Sequence, residues 1–260
     1  MMLTSLDGVI GPPEQALIPV SDEGLLRGDG VFEVLRLYAG RPFALAEHLE
    51  RMELSASNIR LEFDVAAVRA DVTALLAAAG PSDGVLRLVQ TRGGHRLAIV
   101  EPAPVVADQV RLGYVTYSPT RVLDNIKSLS YGANMLSSRL AKERGFNEAL
   151  LRTPHGRILE APTSSFFWVK DGVVSTPPLE DHVLASITRA VVIELTDAVQ
   201  APCTHKDVIA SDEAFLASTL REAQPVVAVE EVLLSPGEVT ADVRVKLRAY
   251  IESRLAEEFS

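Results

Sequence analysis

Strand-like and helix-like segments alternate along this chain without settling into a regular strand–helix–strand repeat. That irregular alternation is its strongest constraint on fold. Val31–Tyr38 (VFEVLRLY) has the β-branched and aromatic residues of a strand and ends in the turn around Gly40 in YAGRPF. The period then changes over Ala44–Ser57, where Leu45, Leu49 and Met52 fall on one helical face. Asp64 is placed to cap a helix over Val65–Ala79, which must stop at Gly80-Pro81. Gly84–Gln90, Leu97–Val100 and Gln109–Tyr117 read as further strands. A parallel sheet would need a crossover between each pair of strands, so this part of the chain reads as α+β with hairpins.

Ser118–Leu123 (SPTRVL) interrupts the pattern, because Pro119 cannot continue a strand. The expected organisation is an N-terminal α+β domain over residues 1–117, a connection over 118–123, and a C-terminal domain over 124–260. In the latter, Ser130–Arg144 and Ser186–Val199 read as helices, the second offering Ile187, Val191, Ile193 and Leu195 to the core. Glu148–Thr153, Arg157–Leu159, Phe166–Lys170 and Ala214–Ser218 read as strands, and Ala241–Glu257 as a closing helix.

Composition removes several classes of function. The single cysteine, Cys203, permits no intrachain disulfide and suggests a reducing, cytoplasmic setting. Thirty-five acidic against 25 basic residues, a net charge of −10, argue against a duplex-binding surface. No signal-peptide profile, membrane-length apolar run, CxxC or HExxH occurs, so neither a membrane nor a metal is expected. GxGxxG, GxxxxGK[ST] and GxSxG are absent too, which argues against common nucleotide-binding and α/β-hydrolase sites.

Only five of the 25 basic residues are lysines, and four of them sit in charged or turn contexts: Lys142 in AKERG, Lys170 in KDG, Lys206 beside Asp207, and Lys246 in a charged helix. Lys127 stands apart in LDNIKSLSY, among apolar and small neutral residues. An apolar setting disfavours the ammonium form and leaves a nucleophilic amine, although a snorkelling strand lysine has the same local sequence. Two further features follow in order. Glu160 in ILEAPTSSF ends a strand and enters a Ser/Thr loop, and Ser186-Ile187-Thr188 opens a helix whose first N–H groups can receive an anion.

Across RGDGVFEVLRLYAGRPFALAEHLERM, IKSLSYGANML, EALLRTPHGRILEAPTSSFFWVKDG, SITRAVVIEL and FLASTLREAQPV, the chain resembles the class IV aminotransferases. These are the fold-type IV pyridoxal-phosphate enzymes, and they include D-amino-acid and branched-chain aminotransferases and 4-amino-4-deoxychorismate lyase. The resemblance implies two small mixed α/β domains with the cofactor, pyridoxal 5′-phosphate, at their interface. It makes Lys127 the Schiff-base lysine and proton shuttle, and Glu160 the acid that pairs with the pyridine nitrogen. Arg51, Ile187, Thr188 and Thr219, with Ser218 beside it, match the phosphate ligands. Tyr131 matches a tyrosine that bonds the phenolic oxygen in some members, and Ser164 lines the cofactor. The chain departs from the family's GxxxN pattern after the acid, with Ala161 for the Gly and Ser165 for the Asn.

On the substrate side the resemblance places Phe32 and Val34 of the first strand, with Arg27, Arg92, His95 and Arg96 as candidates to bind a carboxylate. The lyase typically has threonine where this chain has Val34, and FEVLR looks more like the D-amino-acid enzymes. The known D-enzymes use an RxH element, and this chain has TRGGHRL in its place. Arg27 occupies a segment that reaches the neighbouring subunit in family dimers. The resulting expectation is a homodimeric transaminase acting on a D-amino acid, such as D-alanine or D-glutamate, with 2-oxoglutarate or pyruvate as acceptor. The lyase, which makes 4-aminobenzoate and pyruvate, and a branched-chain L-amino-acid aminotransferase are the alternatives.

Overall fold

The computed structural model describes residues 2–258. The chain forms two compact units. The first holds the chain up to Val105, Ile126–Tyr131 and the end of the last helix from Arg254; the second holds Val106–Asn125 and Gly132–Ser253. The segment carrying Lys127 therefore packs with the first unit, whereas the expected boundary put it in the C-terminal domain. The reason is backbone pairing described below.

The first unit contains β1 (Leu3–Leu6), β2 (Val9–Gly11), α1 (Glu23–Arg27), β3 (Gly30–Tyr38), β4 (Arg41–Pro42), α2 (Leu45–Asn58), α3 (Val65–Ala79), β5 (Gly84–Thr91) and β6 (Arg96–Glu101). Its six strands form one sheet in the order β2-β1-β6-β5-β3-β4, antiparallel throughout. Val31, Glu33, Leu35 and Leu37 share one face of β3 by the two-residue period of a strand. Leu49 and Met52 of α2 and Val68, Val72 and Leu75 of α3 pack with Val31, Leu35 and Leu37 and with Leu86, Leu88, Ala98 and Val100. Each such side chain removed from water stabilises the layer by about 1.5–3 kcal/mol. The Asp64 side chain accepts the Ala67 N–H at 3.0 Å, and α3 stops at Gly80, as its sequence dictates.

The second unit contains β7 (Val110–Thr116), α4 (Gly132–Glu143), β8 (Glu148–Arg152), β9 (Arg157–Ile158), β10 (Ser165–Lys170), β11 (Val173–Thr176), α5 (Ile187–Thr196), β12 (Val199–Gln200), β13 (Cys203–Thr204), α6 (His205–Ala210), β14 (Glu213–Ser218), β15 (Glu222–Val229), β16 (Val232–Leu233) and most of α7 (Glu238–Glu258). Its sheet runs β12-β11-β10-β14-β15-β7-β8-β9-β13, with β16 paired to β15. The β15–β7, β7–β8 and β11–β12 pairs are parallel. Leu112, Leu150, Phe166, Trp168, Leu216 and Val226 form the centre of its core.

Three expectations need correction here. The helix expected over Ser186–Val199 ends at Thr196, because Asp197 turns into the left-handed region (φ 50°) and Val199–Gln200 join the sheet. Its buried positions are Thr188, Arg189, Val191 and Val192, while Ile187, Ile193 and Leu195 are only half-buried. The helix expected from Ser130 starts at Gly132, since the Tyr131 N–H turns back to the Leu129 carbonyl at 2.7 Å. Among the described residues no helix is long and apolar enough to cross a membrane.

Candidate active site

Lys127 is fixed by its backbone before its side chain is considered. Its carbonyl accepts the Phe32 N–H at 3.1 Å, its own N–H donates to Ser55 Oγ of α2 at 3.2 Å, and the Leu129 N–H donates to the Gly30 carbonyl at 2.9 Å. Residues 127–129 thus lie along the first residues of β3, with Ser128 bridged to Val31. Gly30 permits this approach: a Cβ there would collide with the Gln90 carbonyl oxygen and stand 2.6 Å from Leu129 Cδ1. Lys127 Nζ lies over the Phe32 ring, 4.4 Å from its centre, and 5.8 Å from that of Tyr131. The two rings meet edge to face at 5.2 Å. These ring faces hold the amine in place by cation–π attraction.

Behind this group lies a pairing that the sequence reading did not assign. Glu33 is fully buried on the helix-covered face of β3. Arg51 of α2 donates to it through Nε at 2.6 Å and Nη2 at 2.7 Å, and the His48 Nδ1 lies 2.7 Å from Glu33 Oε2. Burial alone would push the Glu33 carboxyl up, but Arg51 and His48 outweigh it and hold the group down at about 2. Burial lowers the His48 value, helped by the charges of Arg51 and Lys127, so the imidazole is neutral at pH 7 and donates through Nδ1. Two cues for this cluster were present in the sequence. Glu33 has the core-facing parity of β3, and His48 and Arg51 are three apart on a helix, beside Leu49 and Met52.

The second unit gathers a different set. Glu160 Oε1 accepts the Leu184 N–H at 3.1 Å. The loop leading to α5 is fixed further by the Ala185 N–H on Asn125 Oδ1 at 3.0 Å and by His182 on Asp124 at 2.8 Å. Ser186 caps α5 by accepting the Arg189 N–H at 3.2 Å. The Ser186 N–H is bound to the Leu184 carbonyl, so Ile187 and Thr188 supply the two N–H groups of the first turn that remain for an anion. Thr188 is buried, and α5 packs against β14, whose hairpin to β15 carries Ser218 and Thr219 at its tip. Ser218 Oγ accepts the Arg221 N–H at 3.2 Å and so shapes that tip. Ser164 and Ser165 are buried, each with a hydroxyl that has no hydrogen-bond partner among the described residues.

The substrate-side candidates are spread over the first unit. Phe32 is buried against Lys127, and Val34 is half-buried on the same face of β3. Arg92 donates to both oxygens of Asp29 at 3.0 and 2.9 Å and to the carbonyls of Arg60 and Ile59. Arg96 pairs with Asp71 at 2.9 Å. His95 lies between Asp7, at 2.8 Å, and Asp22, at 3.9 Å. The Arg27 side chain is 76% exposed at the end of α1 and pairs with Glu23 at 3.0 Å, while its carbonyl accepts from Ser130 Oγ at 3.5 Å.

A model of the family described as amino-transferase class IV matches residues 30–229. Among similar proteins, a putative branched-chain-amino-acid aminotransferase of Methanocaldococcus jannaschii is 31% identical, over 94% of this chain and 94% of its own length. A D-alanine aminotransferase of Staphylococcus haemolyticus is 28% identical, over 96% of this chain and 98% of its own. Among solved structures, the branched-chain aminotransferase of Thermoproteus uzoniensis with norvaline matches with a TM-score of 0.90 at 27% identity, covering 97% of this chain and 95% of the other. A fold IV-transaminase of Curtobacterium pusillum matches at 0.87 and 26%, covering 96% and 99%. Class IV aminotransferases use pyridoxal phosphate, and their substrates are amino acids and 2-oxo acids. With a family model spanning most of its length and relatives aligned almost end to end, the chain belongs to the class IV aminotransferases and has the fold-type IV architecture.

Proposed function

We propose that this aminotransferase acts on D-amino acids of small or acidic side chain, with 2-oxoglutarate or pyruvate as acceptor. The observation that carries the transaminase chemistry is Lys127, whose main chain makes two hydrogen bonds and whose amine lies against two aromatic rings. The D-preference rests on FEVLR in β3, where Val34 stands in place of the lyase threonine.

The donor set fits pyridoxal phosphate. Two N–H groups at the start of α5 and the Thr188 and Thr219 hydroxyls would suit a dianionic phosphate, to which the resemblance adds Arg51. The buried hydroxyls of Ser164 and Ser165, unpartnered among the described residues, ask for a polar neighbour, as a bound cofactor would be. When bound, the cofactor supplies a ring that takes up the electron pair left at the substrate Cα. In this reading Lys127 Nζ would carry the proton between the substrate Cα and C4′ of the cofactor. Glu160, fixed by the Leu184 N–H, keeps a proton on the pyridine nitrogen. Glu33 aims Arg51, and Tyr131 holds the phenolic oxygen.

A second reading, an L-branched-chain enzyme, is favoured by one observation. Arg92 and Arg96 are committed to Asp29 and Asp71, which leaves the TRGGHRL loop without an obvious free fork for a carboxylate. A half-reaction separates the two. D-Alanine is expected to bleach the absorbance of the pyridoxal form in the holoenzyme, and L-leucine to leave it unchanged; conversion by L-leucine alone would sink the D-reading. Pyruvate release from aminochorismate without an acceptor would instead point to the lyase.

A further inference from the structure

The second unit carries an open surface cleft of about 270 Å³, lined by Tyr114, Arg144, Arg152, His205, Glu230 and Glu231. None of these six belongs to the set assigned above to cofactor or substrate. Part of the lining is spent on itself. Arg144 donates to Glu230 Oε2 at 2.6 Å and to the Tyr114 carbonyl at 2.7 Å, and the other Glu230 oxygen accepts the Tyr114 N–H. That pair is neutral and closed.

Arg152 is not closed. Its guanidinium lies over the Tyr114 ring, 4.7 Å from the centroid, and among the described residues no side chain or carbonyl accepts its N–H groups. Stacking satisfies the face of a guanidinium and leaves the donors along its edge available, in the fork that matches a carboxylate. His205 adds a second group. Its Nδ1 lies 3.1 Å from the Tyr114 hydroxyl. Burial, with Cys203 beside it, pushes the Tyr114 hydroxyl well above the usual tyrosine range. This contact engages Nδ1 and leaves Nε2 without a hydrogen-bond partner among the described residues. Glu231 is exposed and has no ion pair among the described residues. The uncommitted groups are thus one guanidinium, one imidazole nitrogen and one carboxylate, charges of both signs around one small space.

We propose that this cleft is a second ligand site for a small zwitterion of the amino-acid class, its carboxylate on Arg152 and His205 and its ammonium against Glu231. A plain anion would leave Glu231 unmatched, and a plain cation would leave Arg152 so. The reaction of the family consumes and makes amino acids, so such a site would sense the class of molecule the enzyme handles.

The test is a titration of the holoenzyme followed by the Cε1–H resonance of His205, assigned with a His205→Gln variant. Glycine is expected to move this resonance saturably with Kd on the order of 1 mM. Acetate and ethylamine are expected to be at least about tenfold weaker, since each satisfies one charge only. Arg152→Gln abolishes the shift; should that variant fail to fold, Arg152→Lys weakens glycine about tenfold, keeping the charge without the fork. Glu231→Gln brings glycine down to the level of acetate. An unmoved His205 resonance, a response that survives Arg152→Gln, or acetate binding as tightly as glycine would each overturn the proposal.

Discussion

Glu33 shows what a single side chain costs and contributes here. A carboxylate on the core face of β3 is tolerable because Arg51 binds both its oxygens and His48 adds a third hydrogen bond. Removing the negative charge breaks the ion pair of the half-buried Arg51 with a fully buried partner. Glu33→Gln is therefore expected to lower unfolding free energy by about 3 kcal/mol, read by urea denaturation at pH 7. It is also expected to loosen cofactor retention in a spectrophotometric titration, because Arg51 loses its aim. The pH dependence has a definite sign. The Glu33 value is depressed from 4.5 to about 2, so its contribution is complete above 4.5 and is lost as pH falls through 2. The His48 value is also depressed, from 6.5, so its burial as a neutral ring starts to cost stability as pH falls below 6.5. The wild-type stability curve should fall between pH 4.5 and 2, and Glu33→Gln should flatten that part.

Capped helices and paired strands carry the next level of argument. Ser186 and Asp64 do the same local work, each accepting an N–H three residues on. Replacing either by alanine is expected to cost about 1 kcal/mol in urea denaturation. Only Ser186→Ala should also weaken cofactor binding, because its helix presents the Ile187 and Thr188 N–H groups. Gly30→Ala tests the pairing of β3 with the lysine segment. The added methyl meets the Gln90 carbonyl and Leu129, so a stability loss of about 2 kcal/mol and a more than tenfold drop in turnover are expected. The same elements show which parts of the fold the sequence made legible. β3, α2 and α3 were readable because period, Asp64 and Gly80 act within a few residues. β15 was not, since Pro225 argues against a central strand; its register slips between Val226 and Ala228, immediately after that proline. The β3 contact of Lys127 joins residues far apart in sequence, so no local pattern could reveal it. The Glu33 cluster had a local signature, but a polar residue at a core parity reads as an exception until its partners on α2 are seen.

At the scale of the molecule, the apolar surface of the first unit is the feature that a single chain leaves unexplained. Leu17, Val20, Leu25 and Leu26 are 77, 81, 64 and 62% exposed, all within ten residues of sequence. Isolated exposed leucines are ordinary, but four so close together mark a surface that water does not normally keep. Leu25, Leu26 and Arg27 are consecutive on α1, so covering the leucines would also bring Arg27 to whatever covers them. A second copy of the chain is the reading that fits the proposed transaminase. Light scattering is then expected to give a mass near twice 28.1 kDa. The double variant Leu25→Glu, Leu26→Glu places two charges in that contact and should run as a monomer. Arg27→Ala should leave the mass at the dimer value while raising the KM for the amino acid by about tenfold, the effect of losing a charged hydrogen bond to a carboxylate. A wild-type protein that runs at the mass of one chain would remove the dimer from this reading, and with it any role for Arg27 in a partner's site.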